Sequence, residues 1–458
     1  MDTGDTAWVL TSAALVLLMT PGLALFYGGM VRSKSVLNMM MMSFSALAVV
    51  TVLWVLYGYS MAFGDDVAGG LVGNPGDYLG LAGLMDPDAL VFTVPSLAFV
   101  GFQAVFAIIT VALISGAIAD RARFVPWLVF TAVWATVVYF PVAHWVFAFD
   151  GVTGADFVGG WIANDLQALD FAGGTAVHIN AGAAGLALAL VLGRRKGFGK
   201  EAMRPHNLPL VMIGAGLLWF GWFGFNAGSA IGANVFAAVA WVNTLSATAA
   251  AVIGWLVVEQ VRDGRPTSLG AASGIVAGLV AITPAAASVN PVGALVLGLV
   301  AGVLCALAVG LKYRLGYDDS LDVVGVHLVG GLWGTIGIGL LATASAPAAV
   351  DGLFYGGGVD QLWRQVVGAV AVLTFSFVLT VLIGLAISRT IGFRLDEELE
   401  VEGIDGAEHA ESAYDFTSSG GGGLGLASGH LAAATAPAPG RTGSSSPTSP
   451  TSKEGANA

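Results

Sequence analysis

Long apolar stretches without a charged side chain dominate this sequence. Nine of them contain no Asp, Glu, Lys or Arg, and they cover residues 6–31, 36–64, 89–119, 124–149, 171–193, 205–258, 266–311, 323–350 and 365–388. A helix that spans a bilayer needs about 20 apolar residues. Seven stretches therefore hold one span each. The two longest hold two each, with breaks predicted at 226–234 and 283–291, where Gly, Asn and Pro cluster. The sequence predicts an all-α polytopic membrane protein with eleven transmembrane helices.

Composition agrees with a membrane protein and excludes several other classes. Charged residues make up 10% of the 458 residues and hydrophobic residues 56%, whereas a soluble domain carries about 25% charged residues. The net charge of −12 gives no basic surface for nucleic acid. One cysteine, Cys305, excludes an intrachain disulfide framework.

The Lys and Arg residues predict the orientation in the membrane. The links after spans 1, 3, 5, 7 and 9 hold 13 of the 18 basic residues, and four more follow or close span 11. Basic residues concentrate in cytoplasmic loops. We therefore expect a protein of the cell membrane with its N-terminus outside and its C-terminus in the cytoplasm. The first residues lack a basic segment typical of a signal peptide, so we expect span 1 to be retained.

The sequence divides into three parts by composition. Residues 1–392 form the predicted membrane domain. Residues 393–416 are rich in Asp and Glu and form a predicted acidic cytoplasmic tail. Residues 417–458 consist mainly of Gly, Ala, Pro, Ser and Thr, a composition that predicts disorder.

Spans 5 and 10 carry a similar pattern. Span 5 begins with Asp170, and a Gly-rich segment then leads to Val-His at His178; span 10 begins with Asp322 and reaches Val-His at His327. An odd-numbered and an even-numbered span run in opposite directions through the membrane. We therefore predict an inverted repeat of five plus five spans with one extra helix, an arrangement typical of transporters.

Histidines are the main ionisable groups within the predicted spans. His144 lies toward the outer end of span 4, whereas His178 and His327 lie deeper. An ionisable residue inside the membrane indicates a functional site, and two neutral imidazoles offer donors and acceptors to a small polar solute or a proton. The alternative is that both rings donate to backbone carbonyls in tightly packed, Gly-rich helices.

Aromatic residues at helical spacing suggest a cation site. Trp222, Phe225 and Ser229 share one face of span 6 if the helix extends to Ser229, and Phe102 and Phe106 lie four residues apart in span 3. Aromatic faces attract cations. The alternative is simple packing, since the chain has 24 Phe and 12 Trp.

Asp170 immediately precedes the Gly-rich start of span 5. An Asp at this position is typical of a helix N-cap. The alternative is a buried acid that supports a nearby cation site.

Five segments resemble the ammonium transporter family, which includes methylammonium permeases and Rhesus glycoproteins. They are residues 21–29, 170–182, 197–209, 221–229 and 322–331. The resemblance extends over about residues 5–415. It implies eleven spans with an inverted five-plus-five repeat, and a homotrimer with one narrow pore in each subunit.

The resemblance also implies the roles of individual residues. An outer ammonium site would consist of Phe147, Trp222 and Ser229, with Phe102 at its entrance and Asp170 in support. Phe106 and Phe225 match a stacked pair that closes the pore, and His178 and His327 match twin pore histidines. The family often has Trp where this chain has Phe147. A Phe has a weaker cation–π face and cannot donate a hydrogen bond.

These observations together predict an ammonium transporter. Ammonium would bind at the outer site and lose its proton, and ammonia would cross an apolar pore along the two histidines, with the proton relayed. The alternatives are an ammonium sensor and a neutral channel for ammonia or carbon dioxide of the Rhesus type. We expect membrane lipid and a P-II-type signal protein at the cytoplasmic face as partners, and no nucleic acid. The sequence shows no catalytic constellation, and we expect no enzymatic activity, cofactor or metal.

Overall fold

The computed structural model describes residues 1–414. Within this range eleven helices are long and apolar enough to cross a membrane, which confirms the predicted number. They are α1 Thr3–Met30, α2 Val36–Phe63, α3 Ser96–Ile118, α4 Phe124–Phe147, α5 Gly174–Leu192, α6 Leu208–Gly228, α7 Val235–Asp263, α8 Ser268–Ala285, α9 Pro291–Leu315, α10 Val324–Leu341 and α11 Asp360–Thr390. The prediction of disorder for 417–458, and the last two residues of the predicted acidic tail, lie outside the described residues.

The helix ends differ from the charge-free stretches at several places. Helix α7 extends to Asp263 and helix α11 begins at Asp360, so both include charged residues. Charged side chains are tolerated at helix ends because they reach the polar boundary of the membrane. Strands β1 Leu90–Val91 and β2 Val94–Pro95 form an antiparallel hairpin. Helix α3 therefore begins at Ser96 and not at residue 89.

The two halves of the chain repeat the same packing. Helix α1 lies along α6, and these are the first helices of the two halves. Helix α1 also packs on α2 and α3, and α6 packs on α7 and α8 in the same way. We call the face of the bundle where α1 begins the N-face and the opposite face the C-face. Helix α5 starts at the N-face and helix α10 at the C-face, as the predicted inverted repeat requires.

Helices α7 and α9 approach each other closely through glycines. A Cβ atom added to Gly298 would lie 2.0 Å from the carbonyl oxygen of Ala247, and one added to Gly302 would lie 2.1 Å from that of Ala251. Small residues allow such close contact between membrane helices, where packing and not water exclusion favours association.

The Asp that begins the second copy of the repeat is Asp319 and not the predicted Asp322. The carboxylate of Asp319 accepts the backbone N–H groups of Val323 and Val324 at 3.0 and 2.7 Å. The side chain of Asp322 instead forms an ion pair with Lys312 at 2.6 Å. When the two Val-His pairs are aligned, Asp170 and Asp319 occupy the same position, eight residues before their histidines. The Asp nearest the start of the span is therefore not the one that corresponds to Asp170.

The segment after α11 lies against the C-face and includes the short helix α12, Glu397–Glu402. Asp405 accepts the backbone N–H groups of Leu37 and Asn38 at the start of α2. Glu408 accepts the N–H of Phe124 at the start of α4 at 2.9 Å. These carboxylates act as N-caps supplied by a distant part of the chain, because the first N–H groups of a helix have no partner within it.

Candidate functional site

A cavity of about 540 Å³ opens at the N-face, and we call it the N-face cavity. Seven phenylalanines contribute to its wall: Phe92, Phe99, Phe106, Phe147, Phe149, Phe171 and Phe236. Its polar lining comes from Gln103, Gln167, Asp170, Ser229, Asn234 and Ser288. Asp170 is the one charged residue among those that line it. The arrangement offers aromatic faces and few charges to a small cation.

Phe106 and Phe225 form a barrier beneath this cavity. Their ring centroids lie 4.2 Å apart with an interplanar angle of 31°, and both side chains are buried. Phe106 lines the N-face cavity, whereas Phe225 lines a second, much smaller cavity of about 10 Å³. We call this second space the inner cavity. Its volume corresponds to about one water-sized probe, so it holds only a very small molecule.

The two histidines of the repeat meet at the inner cavity. The Nδ1 atoms of His178 and His327 lie 3.3 Å apart, and the rings are nearly parallel at a centroid distance of 5.4 Å. Both side chains are buried. The Nε2 atom of His178 has no hydrogen-bond partner among the described residues. The alternative that both rings serve only to bond backbone carbonyls therefore does not match the observed pairing.

Each histidine lies in a π-helical turn at the beginning of its helix. The turns cover Gly174–Ile179 in α5 and Val324–Leu328 in α10. A π turn widens the helix by one residue and occurs frequently at functional sites. No pattern in the sequence indicates these turns directly.

Trp222 does not line the N-face cavity, although the family resemblance implies a place for it in the outer site. Its ring stacks on His178 at 5.5 Å and lies 5.2 Å from Phe225, and it lines the inner cavity. Its Nε1 donates to the Thr283 hydroxyl at 2.8 Å. Helical spacing correctly put Trp222 and Phe225 on one face, but it did not indicate on which side of the barrier the indole lies.

Phe102 is also absent from the wall of the N-face cavity. It is fully buried behind the barrier ring of Phe106, at a centroid distance of 4.9 Å. Phe99, Gln103 and Phe106 present the cavity face of α3. Their spacing of four and three residues is itself a helical pattern that places Phe99 and Gln103 on the face of Phe106, although neither was among the predicted site residues.

Phe147 and Trp145 point in different directions. Phe147 lines the N-face cavity. The Trp145 indole donates to the carbonyl of Leu71 at 2.8 Å and packs on Phe375 away from that cavity. The aromatic at the end of α4 that reaches the cavity is therefore Phe147, the position chosen from the sequence.

Ser229 lies one residue beyond the end of α6 and lines the N-face cavity. Its backbone remains in the right-handed helical region, so it keeps the face shared with Phe225. Its hydroxyl donates to the carbonyl of Phe225 at 2.8 Å. The hydroxyl oxygen retains capacity to accept a hydrogen bond from a solute.

Asp170 caps helix α5. Its carboxylate accepts backbone N–H groups from Gly173, Gly174, Thr175 and Ala176 at 2.6–3.3 Å, together with the hydroxyl of Thr175. Such a nest of N–H groups satisfies the first turn of the helix. The N-cap interpretation therefore describes the observed contacts, and the carboxylate also contributes to the cavity wall.

At the C-face, outside the membrane spans, burial and neighbouring charges shift the pKa values of several ionisable groups. Burial raises the pKa of Asp319 to about 6, with Lys312 acting in the opposite direction. Burial would also raise the pKa of Asp318, but Arg195 and Arg121 hold it below its usual value. Arg195 contacts Asp318 at 2.8 Å and Asp120 at 3.0 Å. These pairs fix the loop that leads into α10.

Residues 1–414 contain no group of three or more His, Cys, Asp or Glu side chains that could hold a metal ion. The site consists instead of aromatic rings, one hydroxyl, one capped carboxylate and a histidine pair. It is suited to binding and passing a small solute.

Comparison with known proteins identifies related chains. Residues 7–414 match the model of the Ammonium Transporter Family. The chain is 64% identical to an ammonium transporter of Mycobacterium tuberculosis strain ATCC 25618 / H37Rv over 436 residues, covering 91% of each chain. It is 48% identical to an ammonium transporter of Bacillus subtilis strain 168, covering 90% of this chain and 99% of the relative.

Solved structures agree with this result. The crystal structure of Candida albicans Mep2 is similar with a TM-score of 0.78 and 36% identity, covering 87% of both chains. A chain described as "Sensor Amt Protein" is similar with a TM-score of 0.81 and 31% identity, covering 89% of this chain and 98% of that one.

Proposed function

Because the chain belongs to the ammonium transporter family, we propose that it binds ammonium in the N-face cavity, removes one proton and passes ammonia through the inner cavity. The N-face is the extracellular side in this proposal, as the distribution of Lys and Arg suggests. The observation that carries the proposal is the barrier of Phe106 and Phe225, with a cavity on each side and the histidine pair beneath.

Ammonium is recruited by the aromatic wall and the Ser229 hydroxyl. Phe147 and Phe106 line the cavity with their rings, and the Ser229 oxygen offers a lone pair as acceptor because the hydroxyl proton is donated to the Phe225 carbonyl. A cation–π contact contributes about 0.5–2 kcal/mol. With Phe in place of Trp at residue 147, we expect weak binding that relies on several rings together.

The inner cavity favours ammonia over ammonium. Apart from the two histidines, apolar and aromatic side chains line it. Burying an isolated charge in such surroundings costs far more than burying a neutral polar group. Ammonium can become neutral by losing a proton. Potassium has no proton to lose and is excluded.

The histidine pair supports transfer of that proton. Two neutral imidazoles carry two ring protons, and the contact between the two Nδ1 atoms uses one of them. The second proton is then on the Nε2 of the ring whose Nδ1 accepts. One outward nitrogen of the pair therefore donates and the other accepts. When a proton binds to the accepting Nε2 and the other Nε2 releases its proton, the proton between the two Nδ1 atoms moves from one ring to the other, and the donor and acceptor exchange places. The pair gains and loses one proton, so the relay is chemically balanced.

Current across proteoliposomes tests the proposal. An ammonium pulse is expected to evoke current, and an equal potassium pulse is expected to evoke none. Replacing His178 and His327 together with Leu is expected to abolish the ammonium current. An equal response to both ions would refute selectivity, and an unchanged current in the double variant would refute the relay.

The same vesicles separate the alternatives. A neutral channel of the Rhesus type changes the internal pH in stopped-flow traces without current. A second candidate, ammonium sensing, is supported by the similarity to the chain described as "Sensor Amt Protein". A sensor with little flux gives neither signal.

Assembly and partners are part of the proposal. We propose a homotrimer and a P-II-type signal protein that binds the C-face, which would be cytoplasmic. The mass of the detergent-solubilised protein, measured by light scattering with the detergent contribution subtracted, tests the trimer. Co-purification with a P-II-type protein, with and without ammonium, tests the partner.

A further inference from the structure

Helix α11 lies outside the five-plus-five repeat, yet one of its side chains holds the wall of the N-face cavity. Residues 167–171 form a continuous part of that wall. Gln365 of α11 contacts the middle of this segment at Leu169. It donates from Nε2 to the Leu169 carbonyl at 2.7 Å, and its Oε1 accepts the Leu169 N–H at 2.6 Å.

The amide of Gln365 is fully used. Besides the two bonds to Leu169, Nε2 donates to the carbonyl of Thr335 in α10 at 3.1 Å, and Oε1 accepts from Gln361 at 2.9 Å. The side chain is completely buried. A buried amide with two donors and two acceptor sites all satisfied is rigid, because any rotation breaks bonds that water cannot replace.

These bonds join the two helices that carry the histidines. Leu169 immediately precedes Asp170, the cap of α5, and Thr335 lies in α10 two turns beyond His327. The starting turn of α5 touches α10 at the same level, since a Cβ added to Gly174 would lie 2.7 Å from the Thr335 hydroxyl. Gln365 therefore fixes α5 against α10 above the histidine pair.

A different side chain does the equivalent work at the C-face. With Asp170 aligned to Asp319, Leu169 corresponds to Asp318. The Asp318 carbonyl accepts a bond from the fully buried Arg121 at 2.6 Å. The two symmetry-related carbonyls are thus held by unrelated elements, a neutral amide at one face and a guanidinium at the other. The repeat therefore provides the two equivalent carbonyl groups, whereas the side chain that holds the Leu169 carbonyl comes from α11, outside the repeat.

We propose that Gln365 is a positioning residue for ammonium binding, which sets the wall segment 167–171 and the α5–α10 spacing. This inference rests on the proposed function for its transport consequences. A role limited to folding would change the amount of protein, whereas a positioning role changes the concentration of ammonium that gives half-maximal current.

The test uses Gln365→Glu and Gln365→Leu, with Val366→Ala as the matched control, because Val366 is the next residue of α11 and its side chain is exposed. Glutamate can still accept from Leu169, but its ionised form cannot donate to either carbonyl. We expect the half-saturating ammonium concentration to rise on the order of tenfold in both Gln365 variants, because both leave the carbonyls of Leu169 and Thr335 without this donor. Val366→Ala leaves all four hydrogen bonds of the Gln365 amide in place and is expected to change the half-saturating concentration much less.

Acid rescue gives a readout that a merely structural role would not move. When it is protonated, the carboxyl group introduced by Gln365→Glu regains one O–H donor. Relative to the unsubstituted protein at each pH, Gln365→Glu is expected to recover part of its loss as the pH is lowered from about 9 to about 5.5, because burial raises the pKa of a carboxyl group into this range. Gln365→Leu has no such group and is not expected to recover.

Hydrogen exchange separates failure of this inference from failure of the proposed function. Amides of residues 166–176 are expected to exchange faster in both Gln365 variants, and this measurement needs no transport. Unchanged exchange and unchanged half-saturation would overturn the inference. Faster exchange, with neither a current nor a change of internal pH in vesicles of the unsubstituted protein, would support the positioning role of Gln365 and overturn the transport function instead.

Discussion

Replacing Asp170 with Asn tests how the entrance of α5 is held. One carboxylate oxygen accepts the N–H groups of Gly173 and Gly174 at 2.7 and 2.6 Å. The other accepts from Thr175 and Ala176. An Asn side chain keeps one acceptor oxygen and places an NH₂ group where the second oxygen was. Its best orientation retains the larger set of bonds and directs the NH₂ donors at the N–H groups of Gly173 and Gly174.

The cost can be worked from these contacts. Two hydrogen bonds to a charged acceptor are lost, each worth about 1.5–3 kcal/mol. The measured cost of losing an N-cap, about 0.5–2 kcal/mol, sets a lower limit because the helix end can relax. We expect the first turn of α5 to be destabilised by about 3 kcal/mol. That value raises the population of the open turn roughly a hundredfold, since each 1.4 kcal/mol is a factor of about ten.

Hydrogen exchange of the amides at residues 173–176 measures this directly. Asp165→Asn is the matched control, because Asp165 is an exposed carboxylate in the short π-helical segment Ile162–Leu166 that precedes Asp170. The Asp170 variant is expected to show faster exchange at these amides and a reduced ammonium current, and the control is expected to show neither. If protection at 173–176 is unchanged in Asp170→Asn, the carboxylate does not hold the turn and the reasoning from its contacts is wrong.

Three further changes test other parts of the molecule. Burial raises the pKa of Asp319 to about 6, so the folded protein holds this proton more tightly than the unfolded chain does. The free energy of unfolding should therefore fall as the pH rises from about 4 to about 6. In Asp319→Asn, the melting temperature should no longer fall over this pH range for this reason. Phe106→Ala removes one ring of the barrier and should join the two cavities, so we expect a larger maximal ammonium-evoked current in proteoliposomes, while the apolar inner cavity continues to exclude potassium; an unchanged maximal current would show that the ring is not the barrier. Gly298→Ala would place a methyl group 2.0 Å from the Ala247 carbonyl oxygen, whereas Gly101→Ala meets no atom within 4 Å; the yield of monodisperse protein in detergent should fall for the first and not for the second.

The placement of Trp222 changes how the site should be probed. Its indole lies against His178 and bonds Thr283, below the barrier and outside the N-face cavity. A Trp222 substitution is therefore expected to alter passage past the histidines more than the first binding of ammonium. Phe147 is the aromatic to change when binding at the N-face cavity is the question.

The sequence by itself determined the number and type of spans. Eleven helices follow from stretches that must satisfy every backbone group inside lipid, and no neighbour is needed to decide that. The same reasoning failed at helix ends such as Asp263 and Asp360, because charged residues can belong to a helix whose end reaches the membrane boundary. The opposed directions of α5 and α10 also followed from counting spans.

Local spacing also determined which side chains share a helix face. It grouped Trp222 with Phe225, and Phe102 with Phe106. It could not determine what stands opposite each face, because that depends on how α3, α6 and α5 pack. Trp222 therefore lies on the histidine side of the barrier and Phe102 lies behind it.

Only the tertiary structure decided which groups meet across the repeat. The Nδ1 contact of His178 and His327 depends on two helices that enter from opposite faces and begin with π turns. The hydrogen bonds between Gln365 and Leu169 join two residues that are 196 positions apart in the chain. Two Gln residues one turn apart in a largely apolar helix have no periodicity that indicates their distant partners. The physical reason is that hydrogen bonds of buried polar groups are satisfied by whichever backbone the fold brings near, and in this protein that backbone belongs to the wall of the cavity.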